Sequence, residues 1–397
     1  MIPIQSRARW AVSALFFANG MLLGAWTTQI PLLLVRLGIS ETTLGFLILA
    51  FGLGALLAMP VMGWIISLYG SRFTLIGTSL ACSFGLALVV VAPSVPVATV
   101  VLFVYGAVFG GMDVTMNAHA VPVERRLGRA IMSSLHGFWS LGGFAGGLTG
   151  GWIVLQVGEL GHALIVCSVA FALVVAALPF VGEGETMPPG HENETGGPAR
   201  VAAGKVLKLY LLGLLALFAM LPEGAVIDWA ALYLKQELGA SVATAGWAYA
   251  AFAGAMALVR FVGDGLRDRL GAVVTLRISA LIAAVAMLIA AFAPNAAIAI
   301  AAFAIAGIGC ANIVPVVFSA AGNQPGVASG PAMSVVTTIG YAGVLIGPSG
   351  LGFVGDHFGF TPVFVSMAVT LLLVALLAGA ASTAAQPGRQ VMPSAAL

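Results

Sequence analysis

The chain has 397 residues, 60% hydrophobic and only 8% charged, with a formal net charge of +2. Soluble domains carry about a quarter charged residues, so a water-soluble globule is excluded and a multi-pass integral membrane protein is expected. Nothing in this charge balance marks a nucleic-acid partner.

A helix needs about 20 apolar residues to cross a bilayer. The sequence predicts twelve spans: 10–34, 42–68, 73–93, 97–121, 131–156, 161–182, 206–233, 242–266, 272–293, 295–319, 330–354 and 360–382. An all-α protein follows, because backbone groups in lipid must be satisfied within the segment. The opening MIPIQSRARW leads into an apolar run too long for a cleavable leader, so the first helix reads as an uncleaved signal. The glycines of LGGFAGGLTGG (141–151) and IGYAGVLIGPSGLG (339–352) suit close approach of helix backbones. Between spans six and seven lies GEGETMPPGHENETGGPARVAAGK, polar and rich in Gly and Pro. It divides the chain into a six-helix bundle (1–182), a cytoplasmic linker (183–205) and a second bundle with a short cytoplasmic tail (206–397).

Lys and Arg orient the chain. With a cytoplasmic N-terminus, twelve of the 16 fall on the cytoplasmic side and only Arg36 and Lys235 on the other. Arg260 and Arg277 lie within spans, near the cytoplasmic end. Both termini are therefore expected in the cytoplasm. Cys82, Cys167 and Cys310 sit in apolar runs with no metal-ligand spacing, and the five histidines are scattered. There is no HExxH and no GxSxG, so no metal, cofactor or enzymatic activity is expected.

The polar residues inside spans carry the functional reading. GGMDVTMNAHA (110–120) places Asp113, Asn117 and His119 in span four, with Asp113 and Asn117 on one helical face. A carboxylate facing lipid is costly, so Asp113 should face the bundle interior or a wet cavity. Burial disfavours its ionised form, which makes it the first candidate for proton coupling. The alternative is a structural pair with His136 or Asn312. Glu223, next to the helix-breaking Pro222 in span seven, is the second proton-coupling candidate. His136, opening span five, is the third, against a packing role. Asp228 reads as a solvated residue at the outer mouth, and His119 as a gate or an interfacial residue. Asn19, Trp26, Gln29, Asn117, Trp139, Trp229, Asn312 and Tyr341 supply amides and aromatic faces suited to a neutral polyhydroxy ligand. Each Trp is alternatively a membrane-interface residue.

The two halves echo each other. Gly143, Ala145, Gly146 and Gly150 match Gly340, Ala342, Gly343 and Gly347, and GGMDV (110–114) falls on GCANI (309–313) at nearly the same offset, about half the chain. With twelve spans in two sets of six, the chain resembles the major facilitator superfamily along its whole length. That family's loop signature between spans two and three, G-x-L-A-D-R-x-G-R-K, corresponds to GWIISLYGSR (63–72). Gly63, Gly70 and Arg72 fit, and Ser67 stands where the Asp belongs. The pseudo-repeat DGLRDRLG (264–271) keeps Asp268, Arg269 and Gly271, and GFVGDHFG (352–359) is a third echo. The resemblance implies that Asp268 caps a neighbouring helix end and helps lock one conformation, with Arg72, Asp268 and Arg269 as gating residues. Within the superfamily, GGMDVTMNAHAVPVE, IMSSLHGFWSLGG and PEGAVIDWAALYL resemble the YbjJ-like branch, distantly similar to fucose permeases. Fucose permeases place one functional carboxylate in span four, like Asp113, and another in span one, where this chain has Asn19.

The expected function is a monomeric, proton-coupled secondary transporter in a bacterial-type inner membrane, moving a small polar, sugar-like solute by alternating access of two pseudo-symmetric six-helix bundles. Its partners are then that solute, protons and the bilayer. The alternatives are a proton-driven efflux antiporter for amphipathic compounds and a transporter-like solute sensor. Antiporters of the family often end a Gly-rich span five in Gly-Pro. Here Gly151 replaces that Pro, and Gly347-Pro348 lies in span eleven.

Overall fold

A computed structural model describes residues 4–183, 203–240 and 242–384. Linker residues 184–202 and the tail from 385 lie outside the described residues. The helices are α1 (Ile4–Leu37), α2 (Glu41–Val91), α3 (Val95–Leu127), α4 (Met132–Ala177), α5 (Ala203–Gln236), α6 (Val242–Leu270), α7 (Ala272–Ala291), α8 (Ala296–Cys310), α9 (Ile313–Gly322), α10 (Ser329–Phe358) and α11 (Phe360–Leu376). Short 3-10 turns follow α4 and α11, and the described residues contain no strand.

Four glycines explain how these elements make twelve crossings. Gly70 (φ 77°, ψ 160°) lies inside α2 and Gly158 (φ 75°, ψ 178°) inside α4. Gly271 (φ 79°, ψ 158°) separates α6 from α7, and Gly359 (φ 80°, ψ 177°) separates α10 from α11. Each takes a conformation that a Cβ disfavours and turns the chain between two crossings. Nine of the described helices are long and apolar enough to span a membrane. Two of them, 43–91 and 132–180, contain a glycine turn and count twice, and α11 adds the last. Gly271 and Gly359 each fall 201 residues after their counterparts Gly70 and Gly158, the geometric trace of the internal repeat.

Packing repeats this symmetry. In the first half α1 lies along α4 and α2 along α3; in the second, α5 lies along α10 and α7 along α8 and α11. The α1–α4 seam is a contact of backbones. A Cβ on Gly20 would strike the Trp139 carbonyl, one on Gly24 that of Gly143, and one on Gly142 that of Phe17. Small residues are what permit this approach.

Three local expectations are corrected. Pro222 does not break its helix: α5 runs unbroken from 203 to 236, as membrane helices allow when neighbours re-satisfy the freed carbonyl. The tenth crossing, expected as one helix, is interrupted at Ala311–Asn312 into α8 and α9. Span four does not stop near residue 121 but continues to Leu127, with Pro122 inside it.

Arginines mark one end of the bundle. Arg9 opens α1, Arg125 and Arg126 close α3, and Arg267 and Arg269 close α6. This basic end also holds the start of α4. The far end holds Arg36, Glu159 and Lys235.

Candidate functional site

At mid-depth, side chains from both halves meet in one polar layer. Asp113 is buried on α3. One turn on, the Asn117 amide donates to the Asp113 carbonyl at 2.9 Å and to its Oδ1 at 3.4 Å. Asn117 Oδ1 accepts from His136 Nε2 on α4 at 3.2 Å. From the other half, the Tyr341 hydroxyl on α10 faces the Asp113 carboxyl within electrostatic reach. Asp113 Oδ2 has no hydrogen-bond partner among the described residues. His136 therefore reaches Asp113 only through Asn117, and its ring is held edge-on by Phe16 and Phe318, 5.4 and 5.8 Å between centroids.

The second pole of this layer is an ion pair. Arg260 Nη2 on α6 lies 3.7 Å from Glu223 Oε2 on α5. Arg260 is nearly buried, whereas the Glu223 side chain is 30% exposed and so meets open space. Arg260 Nη1 donates to Ser140 Oγ on α4 at 2.5 Å, joining the two halves. Ser140 Oγ donates onward to the His136 carbonyl at 3.0 Å. Tyr341 lies within electrostatic reach of Asp113, Glu223 and Arg260 together. Arg260 was expected near the cytoplasmic end; it stands instead at the centre.

The remaining predicted residues divide by position. Trp139 Nε1 donates to Asn19 Oδ1 at 2.9 Å, which places Asn19 and Trp139 on the α1–α4 seam. Asn312 is buried at the α8–α9 break, pressed against Gly263 of α6, with Oδ1 unpartnered among the described residues. Trp26 is buried and stacks on Phe51. Trp229 packs on Phe360 near the far end. Gln29 donates to the Glu159 carbonyl at 3.1 Å and lies 2.7 Å from His162 Nδ1, bonds internal to the first half. His119 is held between Ser71 Oγ at 3.0 Å and the Val181 carbonyl at 2.9 Å. Asp228 is exposed.

Below the polar layer, the basic end is tied shut across the halves. The first peptide N–H groups of a helix lack internal partners and attract anions. At the start of α4, Glu124 Oε2 accepts from Ile131 and Met132 N–H at 2.9 and 3.1 Å. Asp264 on α6 accepts from Ser133 and Ser134 N–H, both at 2.9 Å, and Asp268 from Ala130 N–H at 2.9 Å. Glu124 also accepts from Ser319 of α9 and pairs with Arg267 Nη2 of α6 at 2.8 Å. Arg125 donates to Asn323 Oδ1 at 2.6 Å. Glu124 and Asp264, although close to the ends of their helices, are buried. The N–H groups of α4 take the place of water.

Of the remaining gating candidates, Arg269 is exposed and Arg72 half-buried, with its Nε unpartnered among the described residues. Ser67, standing where the loop signature has Asp, donates among the described residues only to the Trp64 carbonyl of its own helix, at 2.6 Å. At the pseudo-symmetric start of α10 the N-cap residue, Ala328, has no side-chain cap among the described residues; there Ser334 Oγ donates to the Met59 carbonyl at 2.8 Å and Gly330 packs on Ile66.

The family model described as Major Facilitator Superfamily matches residues 12–228 and 212–391. An uncharacterized MFS-type transporter of Yersinia pestis is 35% identical over 371 residues, covering 92% of this chain and 93% of the relative. Among solved structures, a single-residue variant of the Escherichia coli fucose:proton symporter FucP is similar at TM-score 0.74 and 17% identity, over 94% of this chain and 98% of that one. FucP in the outward conformation gives TM-score 0.78 and 16% identity, over 96% and 100%. At such identities the structural likeness establishes the fold.

Proposed function

Because this chain belongs to the major facilitator superfamily, we propose that it is a proton-coupled secondary transporter that moves a small polar, sugar-like solute by alternating access. The observation that carries this reading is the buried Asp113, held by Asn117, faced by Tyr341 from the opposite half and with Oδ2 unpartnered among the described residues. Burial disfavours an ionised carboxyl and water restores it. A motion that moves Asp113 between these environments loads a proton on one side and releases it on the other.

Residues 1–182 and 206–397 rock as two bundles about the mid-depth layer. Glu223 and Arg260 offer an acceptor and a donor with no net charge, and Asn19 with Trp139 offers an amide beside an aromatic face. That chemistry suits hydroxyl groups on a neutral solute. The positive-inside rule puts the basic end, and both termini, in the cytoplasm of a bacterial-type inner membrane. The tied basic end then makes this the outward-facing state. Resemblance in fold to a fucose:proton symporter supports the same direction of reading.

Export of amphipathic compounds by proton antiport is the second reading, favoured by Phe16 and Phe318 on His136 and by Phe138 on Phe261. Proteoliposomes with a trapped pH dye, challenged with sugars, polyols, nucleosides and amphipathic drugs, separate the two. Lumen acidification on adding a polyol or sugar supports symport. A response to amphipathic compounds alone selects antiport, and no response alongside uptake of a labelled solute removes proton coupling.

A further inference from the structure

Away from the transport site, two helical stripes meet on the outer surface at the basic end. Arg7, Trp10 and Ala14 lie along one face of α1, and Leu173, Ala176 and Phe180 along the close of α4 and the turn after it. Spacings of three and four residues put each set in line. Between them runs a groove of about 700 Å³, walled by the large rings and floored by the alanines. Trp10 and Phe180 remain 55% and 46% exposed, so the groove opens outward from the bundle, on the side that faces lipid.

The groove is apolar except at one end, where Arg7 stands. Of the arginines at this end, Arg129 is exposed just before α4, and four others are committed elsewhere. Arg9 donates to Ser134 Oγ, Arg125 to Asn323, Arg126 to the Glu183 carbonyl, and Arg267 pairs with Glu124. Among the described residues Arg7 has no hydrogen-bond or ion-pair partner. Arg126 adds a second positive charge close by. Its Nη1 would lie 4.0 Å from a Cβ on Gly182, and Ala8 of α1 would meet that same Cβ at 3.4 Å. A cation at the polar mouth of an apolar trough at the membrane boundary matches one chemistry, an acyl chain carrying an anionic head.

We infer that this groove is a binding site for one anionic phospholipid, its acyl chain between α1 and the close of α4 and its phosphate on Arg7. The site is independent of which solute the protein carries. A zwitterionic lipid fills the same trough but gains less at Arg7, because its own ammonium offsets the phosphate.

Native mass spectrometry of the full chain, delipidated and reloaded with equal phosphatidylglycerol and phosphatidylcholine, tests this by counting retained lipids. Wild type should retain one phosphatidylglycerol in several-fold preference to phosphatidylcholine. Arg7→Gln should bring the two to parity, and Ala14→Trp, which fills the trough, should lose the bound lipid of either kind. Ala176→Phe blocks the opposite wall and replaces Ala14→Trp if that variant fails to fold. Parity in wild type, or an unchanged preference in Arg7→Gln together with either blocking variant, would overturn the assignment.

Discussion

Glu124 and Arg267 stand on opposite halves of the protein, 2.8 Å apart, with neither side chain more than 1% exposed. Losing one partner of such a buried pair costs about 3–5 kcal/mol, because the other charge is stranded. Two conformations of a switching protein commonly differ by only a few kcal/mol. Glu124→Gln should therefore shift the population toward a state open at the basic end. Spin labels at the exposed positions 129 and 269 report it. The native cysteines are buried and should leave little background labelling. The distance between labels should lengthen in the variant, and an unchanged distribution would show that this pair does not hold the end closed.

The Glu223–Arg260 pair gives a prediction of coupling. Glu223→Gln strands the buried Arg260 and Arg260→Gln removes the donor to Ser140, whereas the double variant leaves no stranded charge. Groups in direct contact typically show interaction energies of about 0.5–3 kcal/mol. The double variant should therefore be less destabilised than the sum of the singles, as read from thermal unfolding in detergent. Strict additivity would mean that the two groups do not act on each other.

The α1–α4 seam predicts a contrast between glycines. A Cβ at Gly24 meets the Gly143 backbone, which cannot move aside, whereas Gly77 has nothing within 4 Å. Gly24→Ala should destabilise by about 1–3 kcal/mol, the usual cost of overpacking. Gly77→Ala should be neutral or stabilising by up to about 1 kcal/mol, since alanine is the better helix former. Equal melting temperatures in the two variants would contradict close backbone contact along this seam.

The path of the chain was largely legible in the sequence, because each crossing needs a long apolar run and each tight turn needs a glycine such as Gly70 or Gly271. Asp113 and Asn117 were legible too, since four-residue spacing puts them on one face. Arg260 was not read as central. Its position near a span end fits a snorkelling cation equally well, and only packing shows it turned inward to Glu223. Glu124 and Asp264 were hidden for a related reason. A carboxylate at a span end looks hydrated until a neighbouring helix start, here α4, supplies its hydrogen bonds. One signal was available: Arg260, Asp264, Arg267 and Asp268 repeat at helical spacing, a charged stripe where α6 has no lipid-facing use for one. The break at Asn312 left no mark, because the tenth apolar run continues through it.

If Asp113 carries the proton, its loss should separate accumulation from exchange. One proton moving down 100 mV supplies about 2.3 kcal/mol, enough for roughly a fifty-fold solute gradient at 1.36 kcal/mol per tenfold. Using a solute found to drive acidification, wild type in energised proteoliposomes should approach that ratio, while Asp113→Asn should fall to about one yet still exchange labelled for unlabelled solute. Accumulation by Asp113→Asn equal to wild type would contradict the account and leave Asp113 a structural residue.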